Sequence, residues 1–163
     1  MIKRLTVNDA AQALEIVKSV IVKMKAMGID QWDEHYPTIE DIQKDIGKQH
    51  AYGFYYDYQL AGYVIFNQEY DVEYNEIEWL NKGDNFLVMH RLSVHADFQG
   101  KGIARQLVKF GEELAEAYDL KSLRFDAFTK NPVSNVLYEK IGYKNLGQVT
   151  FRKGLFNCYE KLL

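Results

Sequence analysis

A short glycine-containing segment is the part of this chain whose residue types and spacing most clearly allow chemistry. Residues 99–104 read Gln-Gly-Lys-Gly-Ile-Ala, with an apolar strand pattern before them and an amphipathic helix pattern after them. A strand that turns through glycines into a helix leaves backbone N–H groups unpaired at the positive end of the helix dipole. The segment therefore predicts a site for a phosphate or pyrophosphate group.

This loop departs from two common nucleotide-binding motifs. The dinucleotide fingerprint requires a third glycine where Arg105 stands, and the P-loop requires Gly-Lys-Ser/Thr, which is absent. Lys101 and Arg105 add positive charge beside the loop, although solvated charges at a helix start are also common. Taken alone, the hexapeptide is equally compatible with a tight turn that binds nothing.

The bulk properties set limits on the class of protein. A chain of 163 residues with 47% apolar and 26% charged residues is typical of a single globular domain. The net charge of −3 argues against a general nucleic-acid binder. No apolar run approaches the roughly 20 residues of a membrane span, and the amino terminus lacks a signal-peptide pattern. The single cysteine, Cys158, fits a reducing cytoplasm and a core position.

Apolar periodicity predicts the elements that position the loop. The predicted strands and helices are a strand at 2–7, a helix between 10 and 28, a helix at 39–47, a hairpin at 50–66, a strand at 86–94, a helix at 103–118, a strand at 122–128, a helix at 132–141, and strands at 143–146 and 156–162. The third helix is expected to bury Tyr118 and the fourth Val136. This order predicts a layered α/β fold.

Three motifs carry a resemblance to a known family. They are Leu92-Ser93-Val94, the loop Gln99-x-x-Gly102-x-Ala104, and Asn131 with Asn135 and Leu137-Tyr138-Glu139-Lys140 before Gly142-Tyr143. On these motifs, and on the order of elements along nearly the whole chain, the sequence resembles the GNAT superfamily of acetyl-CoA-dependent N-acetyltransferases. The alanine at position 104 is a variation that the family pattern permits.

The resemblance implies a fold and a co-substrate. One N-acetyltransferase domain would span residues 1–163, with a mixed central sheet of about seven strands, helices on both faces, and a splay at the strand before the loop. Acetyl-CoA would be the co-substrate, with no metal. The implied cofactor-binding residues are Leu92, Ser93, Val94, Gln99, Gly100, Lys101, Gly102, Ile103, Ala104, Arg105, Asn131 and Tyr138.

The resemblance also suggests proton-transfer roles. Tyr138 occupies the position whose hydroxyl protonates the departing thiolate in many members, although a packed helix tyrosine is the alternative. The attacking amine must lose a proton, and three residues are candidate bases: Glu76 and Glu78 before the central strand, and His90 in phase with Leu92. Water alone is a further alternative.

The acceptor is expected to be a primary amine of an unidentified small molecule or peptide. By resemblance, its contacts would lie in residues 28–36 and 69–74, where the Trp32 ring among carboxylates could hold a cation; the alternative is a Trp that packs on the core edge. A catalytically silent CoA-binding module and a nucleotide-binding protein are the competing functions. Neither a nucleic acid nor a membrane is an expected partner. The oligomeric state is left open, with a homodimer as one candidate because dimers are common in the family.

Overall fold

The computed structural model describes residues 1–163 and contains seven strands and four α-helices. Their bounds are β1 (Ile2–Arg4), α1 (Ala10–Ala26), α2 (Ile39–Gly47), β2 (Ala51–Tyr56), β3 (Gln59–Asn67), β4 (Phe86–Val94), α3 (Ile103–Ala117), β5 (Ser122–Phe128), α4 (Pro132–Lys140), β6 (Lys144–Phe151) and β7 (Gly154–Leu162). Short 3-10 turns occupy Val7–Asp9, Val72–Glu76 and Ala96–Phe98. The order of strands and helices confirms the order predicted from periodicity.

The strands form one mixed sheet in the order β1-β2-β3-β4-β5-β7-β6. β4 and β5 pair in parallel, whereas the β1–β2, β2–β3, β5–β7 and β6–β7 pairs are antiparallel. The parallel register comprises three pairs and ends at Val88–Arg124, although β4 continues to Val94 and β5 to Phe128. The early end of this ladder agrees with the predicted splay at the strand before the glycine loop.

Internal contacts group the chain into two compact units. Unit 1 comprises Met1–Phe66 and Arg91–Val108, and unit 2 comprises Asn67–His90 and Lys109–Leu163. β4 and α3 each contribute residues to both units.

In unit 1, close packing fixes the start of α3 against β3. A Cβ at Gly62 of β3 would lie 3.0 Å from side-chain atoms of both Ile103 and Leu107. A larger residue here would therefore push the side chains of Ile103 and Leu107 aside, whereas glycine permits the close approach. Because α3 begins at Ile103, directly after the glycine loop, the same contact fixes the place where the loop ends.

In unit 2, aromatic side chains fill the space between α4 and the strand pair β5–β7. The Phe125 ring lies 4.4 Å from that of Tyr138, 4.7 Å from that of Tyr143 and 5.8 Å from that of Tyr159. Tyr159 is the register partner of Phe125 across β5–β7, so both rings lie on the helix-covered side of these strands. This cluster determines which side chain of α4 is buried.

Several predictions about local structure were wrong. The strand predicted at 143–146 is β6, which continues to Phe151 because it pairs with β7 as far as Gly154. Val7 is not in the first strand, because the Asp9 carboxylate accepts a hydrogen bond from the Thr6 N–H at 2.8 Å and a 3-10 turn begins. Tyr118 is 64% exposed, since α3 ends one residue before it. Val136 is 60% exposed, because the aromatic cluster takes Tyr138 as the buried residue of α4.

Candidate functional site

The end of β4 in unit 1 departs from regular strand geometry. Arg91 has a φ of 52°, in the left-handed region, and it is followed by half-buried Leu92 and buried Ser93 and Val94. The Ser93 hydroxyl donates to the Arg91 carbonyl at 2.9 Å. A left-handed residue interrupts the alternation of side chains, so the expectation that His90 is in phase with Leu92 does not hold across Arg91.

A network of charged and phenolic groups holds Arg91 in this conformation. Its guanidinium pairs with Asp45 of α2 and donates to the Tyr36 hydroxyl at 2.6 Å. The Tyr63 hydroxyl donates to Asp45 at 3.2 Å. Burial opposes the charged form of Arg91, but Tyr36 and Asp45 outweigh it and raise the pKa. The network therefore ties the residue before Pro37 and helix α2 to the irregular end of β4.

The glycine loop follows in the same unit. Gly100 and Gly102 have φ values of 80° and 75°, and a Cβ at either would meet no atom within 4 Å. Left-handed geometry, rather than crowding within the protein, is what requires glycine here. The Gln99 side-chain amide donates to the Val94 carbonyl at 3.0 Å, which closes the loop onto the end of β4.

The loop presents an uninterrupted run of unpaired donors. No backbone N–H from Gly100 to Arg105 donates to a protein acceptor, and the first such bond runs from Gln106 to the Gly102 carbonyl at 3.1 Å. Lys101 Nζ lies 4.9 Å from the centroid of the Tyr56 ring. Six consecutive free donors at a helix start suit an anion with several oxygens, as the pyrophosphate of a CoA thioester has.

In unit 2, Asn131 occupies the N-cap of α4. Its Oδ1 accepts from the Ser134 N–H at 3.3 Å, and Pro132 follows in the first turn. The Asn135 side-chain amide donates to the Phe128 and Asn131 carbonyls at 2.9 and 2.8 Å. These bonds fix the junction between β5 and α4, so the predicted cofactor residue Asn131 also has a structural task.

Tyr138 lies two helical turns further along α4 and is buried. Its hydroxyl has no hydrogen-bond partner in the protein, in contrast to Tyr159, whose hydroxyl donates to Asn135 Oδ1 at 2.7 Å. Burial raises the pKa of Tyr138, and the charge of Asp126 raises it further. The phenol is therefore protonated at neutral pH and has a proton to donate.

The three candidate bases lie in different surroundings of unit 2. Glu76 is exposed at the end of a 3-10 turn. Glu78 is exposed and bonds to Lys82 at 2.9 Å, which lowers the pKa of its carboxyl. His90 is half-buried, with Nε2 at 2.8 Å from Asn67 Oδ1. Of the three, only His90 has a partly covered side chain.

The structure also shows a carboxylate that the sequence analysis missed. Asp126 lies in β5, and one of its oxygens accepts from the Tyr74 hydroxyl at 2.6 Å. Burial raises the pKa of Asp126 to about 6. The sequence does contain a signal for this residue. Apart from Arg124, Asp126 is the only charged residue in the stretch Leu123–Phe128, whose other residues are apolar.

Trp32 does not offer an exposed ring to an acceptor. It is buried, and neighbouring Asp33 is buried too, with Oδ1 accepting from the His35 N–H at 2.9 Å. The interpretation of Trp32 as a residue that packs on the core edge is confirmed.

Unit 2 has an open cavity of about 390 Å³ that is lined by aromatic and charged residues. Its walls include Tyr70, Tyr74, Trp79 and Arg124, but none of the residues predicted to bind the cofactor. No group of three or more His, Cys, Asp or Glu side chains is placed to bind a metal ion. None of the helices combines the length and apolar character needed to cross a membrane.

Comparison with known proteins gives a consistent assignment. Residues 21–143 match the model of the acetyltransferase (GNAT) family. A spermine/spermidine N(1)-acetyltransferase of Bacillus subtilis is 30% identical over 103 residues, which is 61% of this chain and 62% of that protein. The chain thus aligns with less than two thirds of the length of this curated relative.

Solved structures extend the similarity to the whole chain. A GNAT-family acetyltransferase from Streptococcus agalactiae superposes with a TM-score of 0.89 and 26% identity, covering 100% of this chain and 95% of that one. A PaiA N-acetyltransferase from Thermoplasma acidophilum, solved with coenzyme A, shares the fold with a TM-score of 0.75 and 17% identity, covering 100% and 98%. The family match covers most of the chain and agrees with the loop, the sheet and the helix order: the chain belongs to the acetyltransferase (GNAT) family, whose members are acetyl-CoA-dependent acyltransferases.

Proposed function

We propose that this protein is an N-acetyltransferase that moves an acetyl group from acetyl-CoA to a primary amine by direct attack. The observation that carries the proposal is the run of unpaired backbone N–H groups from Gly100 to Arg105. They are suited to the pyrophosphate of acetyl-CoA, while the extended backbone of Leu92 and Val94 suits the amides of its pantetheine arm. Acetyl-CoA supplies an activated thioester carbonyl.

Within this proposal, Tyr138 is the general acid. Its hydroxyl has no competing acceptor in the protein, and its raised pKa means that the phenol is protonated when the thioester is attacked. Because a thiolate is a weaker base than this phenolate, the transfer to sulfur requires that the phenolate regain a proton from the attacking nitrogen. A thiolate, whose conjugate acid has a pKa of about 8.5, takes the proton as the carbon–sulfur bond breaks. Glu76, Glu78 and His90 are the bases that the sequence suggested.

For the acceptor, we propose a polyamine or another small cationic amine. The support is the similarity to the spermine/spermidine N(1)-acetyltransferase of Bacillus subtilis. The acidic composition of the 3-10 turn at Val72–Glu76 and its flanks is compatible with a cationic acceptor. The buried free thiol of Cys158 supports a cytoplasmic location, and a homodimer stays a prediction.

Calorimetry and a thiol-release assay test the proposal together. Acetyl-CoA and CoA are expected to bind and ATP is not. Spermidine, spermine, simple diamines and peptides with free amino termini form the amine panel, and thiol release with at least one of them is expected. Binding without release on any amine would favour the silent CoA-binding module, and binding of ATP but not CoA would contradict the assignment of the loop.

A further inference from the structure

The sheet loosens in unit 2 at a defined place along β5. The parallel ladder ends at Val88–Arg124, and no register pair joins Met89 or His90 to β5. Asp126 lies two residues beyond this end, directly across from Cys158 on β7. It is thus held in the sheet on one side, by β7, while the ladder with β4 has already ended.

β5 carries different chemistry on its two faces at this point. Phe125 projects toward α4, where its ring packs 4.4 Å from the ring of Tyr138. Asp126, the next residue, projects to the opposite face, where the Tyr74 hydroxyl of the β3–β4 connection reaches it at 2.6 Å. The Tyr138 phenol, a proton donor, and the Asp126 carboxylate, a proton acceptor, therefore lie on opposite faces of β5, beyond the point where its ladder with β4 ends.

The carboxylate of Asp126 has one side-chain partner. Tyr74 donates to Oδ2, the backbone N–H of Asp126 itself also bonds to the carboxyl group, and no other residue donates to it. Tyr74 is itself fixed, since its ring lies 5.1 Å from that of Trp79 and its carbonyl accepts from the Trp79 indole at 2.8 Å. Oδ2 is positioned by a rigid phenol, and a carboxylate has about four lone-pair sites, so the group can still accept a further hydrogen-bond donor.

We propose that Asp126 is the proton acceptor for the substrate amine and that Tyr74 is the residue that positions it. The inference rests on the proposed N-acetyltransferase function and deepens it. Glu76 and Glu78 are exposed, and the Nε2 atom of His90 already lies at hydrogen-bond distance from Asn67.

The proton balance of the step is simple. An ammonium group gives one proton to the Asp126 carboxylate, and the neutral nitrogen then forms a bond to the acetyl carbonyl carbon while the carbon–sulfur bond breaks. Tyr138 gives its hydroxyl proton to the sulfur. The second proton lost by nitrogen as the amide forms restores the Tyr138 phenol, and Asp126 returns its proton to solvent. One proton is released per turnover.

The groups around Asp126 set the pH at which it can act. Burial raises its pKa to about 6, the Tyr74 hydrogen bond lowers it, and the charge of Asp71 raises it. Tyr138 on α4 and Cys158 on β7 are neutral in this range, because burial and the Asp126 charge raise the pKa of each. Asp126 accepts a proton only when ionised, so activity is present above about pH 6 and is lost as the pH falls through that value.

The test is the pH dependence of kcat/KM for amine acetylation, with Asp126→Asn beside a matched control, Asp119→Asn. Asp119 is an exposed acid of the same unit, paired only with Lys121. Asp126→Asn is expected to lose on the order of 100-fold or more in kcat and to lose the acidic limb near pH 6. Asp126→Glu is expected to restore part of the rate, and Asp119→Asn to behave as the unmodified protein.

Two further variants test the surroundings without removing the carboxylate. Tyr74→Phe deletes a bond that lowers the pKa of Asp126, so the acidic limb is expected to move to higher pH. Asp71→Asn deletes a charge that raises it, so the limb is expected to move to lower pH. Opposite movements of one limb are not expected from a loss of folding.

The failures can be told apart. An unmodified protein that binds acetyl-CoA but releases thiol with no amine would contradict the proposed function. An active protein whose Asp126→Asn variant keeps the acidic limb and most of its kcat would overturn the role of Asp126 alone. A rise in KM for the amine at unchanged kcat and unchanged limb would also overturn it, because a carboxylate that only attracts the ammonium would behave so.

Discussion

The two units offer different kinds of group to the proposed chemistry. Unit 1 offers backbone: the N–H groups from Gly100 to Arg105 and the extended strand end after Arg91. Unit 2 offers side chains: the Tyr138 phenol and the Asp126 carboxylate, both with pKa values raised by burial. In the proposal, anion binding thus depends on the course of the chain, and proton transfer on the packing around particular groups.

Each unit also contains an arginine paired with a buried carboxylate, and the two pairs differ in their partners. In unit 1, Arg91 and Asp45 are completed by the hydroxyls of Tyr36 and Tyr63. In unit 2, Glu160 accepts from Arg124 at 2.7 Å, from Ser122 at 2.8 Å and from the backbone of the β3–β4 connection. The first pair supports an irregular strand end, and the second anchors the β3–β4 connection that carries Tyr74.

The largest expected effect comes from a substitution in the glycine loop of unit 1, which tests the proposed role of the backbone N–H groups. Gly102→Val is expected to abolish acetyl-CoA binding, because a branched side chain would lie over the free N–H groups and would be strained at a φ of 75°. Calorimetry measures the binding. The backbone strain alone is expected to cost about 1–2 kcal/mol of unfolding free energy.

Gly28→Val is the matched control for strain. Gly28 ends α1 in the same unit with a φ of 74°, and a Cβ there would also meet no atom within 4 Å. Its loss of stability in denaturant should resemble that of Gly102→Val, while acetyl-CoA affinity is retained. Equal loss of affinity in both variants would show that the effect comes from unfolding.

An intermediate effect is expected on kcat from a substitution in unit 2, which tests the proposed role of the Tyr138 side chain. Tyr138→Phe is expected to lower kcat by about 100-fold with little change in acetyl-CoA affinity, since it removes only a proton donor. Stability is expected to be unchanged, because the Tyr138 hydroxyl has no hydrogen bond to lose. Steady-state kinetics and thermal unfolding measure the two quantities.

Tyr159→Phe, in the same aromatic cluster, is expected to change stability rather than kcat. Its hydroxyl donates to Asn135, so the variant is expected to lose about 1 kcal/mol of stability and to keep its kcat. If Tyr138→Phe turned over at the unmodified rate, Tyr138 would be a packing residue like its neighbour.

The smallest expected effect separates the two tasks of Asn131. Asn131→Asp keeps an N-cap acceptor for Ser134, whereas Asn131→Ala removes it and is expected to cost about 1 kcal/mol in thermal or chemical unfolding. If Asn131 also contacts the cofactor, both variants weaken acetyl-CoA binding by a few-fold. Weaker binding in Asn131→Ala alone would assign the residue to the helix cap.

Local signals were sufficient for several elements. α2 was predicted with the bounds that the structure shows, since Thr38 and Asp41 form a capping box at its start and the pattern stops at Gly47. β5 was likewise predicted as Ser122–Phe128. Both cases depend on bonds and periodicity within a few residues, which is the range over which sequence patterns are informative.

Burial of single side chains was harder to predict. Periodicity alone favoured Val136 as a core residue of α4, but the rings on β5 and β7 select Tyr138. The left-handed conformation of Arg91 was not predicted either, because arginine has no preference for it. The conformation depends on Asp45, Tyr36 and Tyr63, which come from three separate segments of the chain.

The sequence by itself determined the family, the order of elements and the position of the glycine loop proposed to bind an anion, because each is encoded by neighbours along the chain. The tertiary structure decided which titratable groups have shifted pKa values. The sequence marks Asp126 only as an acid in a largely apolar strand. Its pKa of about 6 results from burial, from the Tyr74 hydrogen bond that lowers it and from the Asp71 charge that raises it, and both residues lie more than 50 positions earlier. Proton affinity depends on what surrounds a group in space, and only the folded chain determines those surroundings.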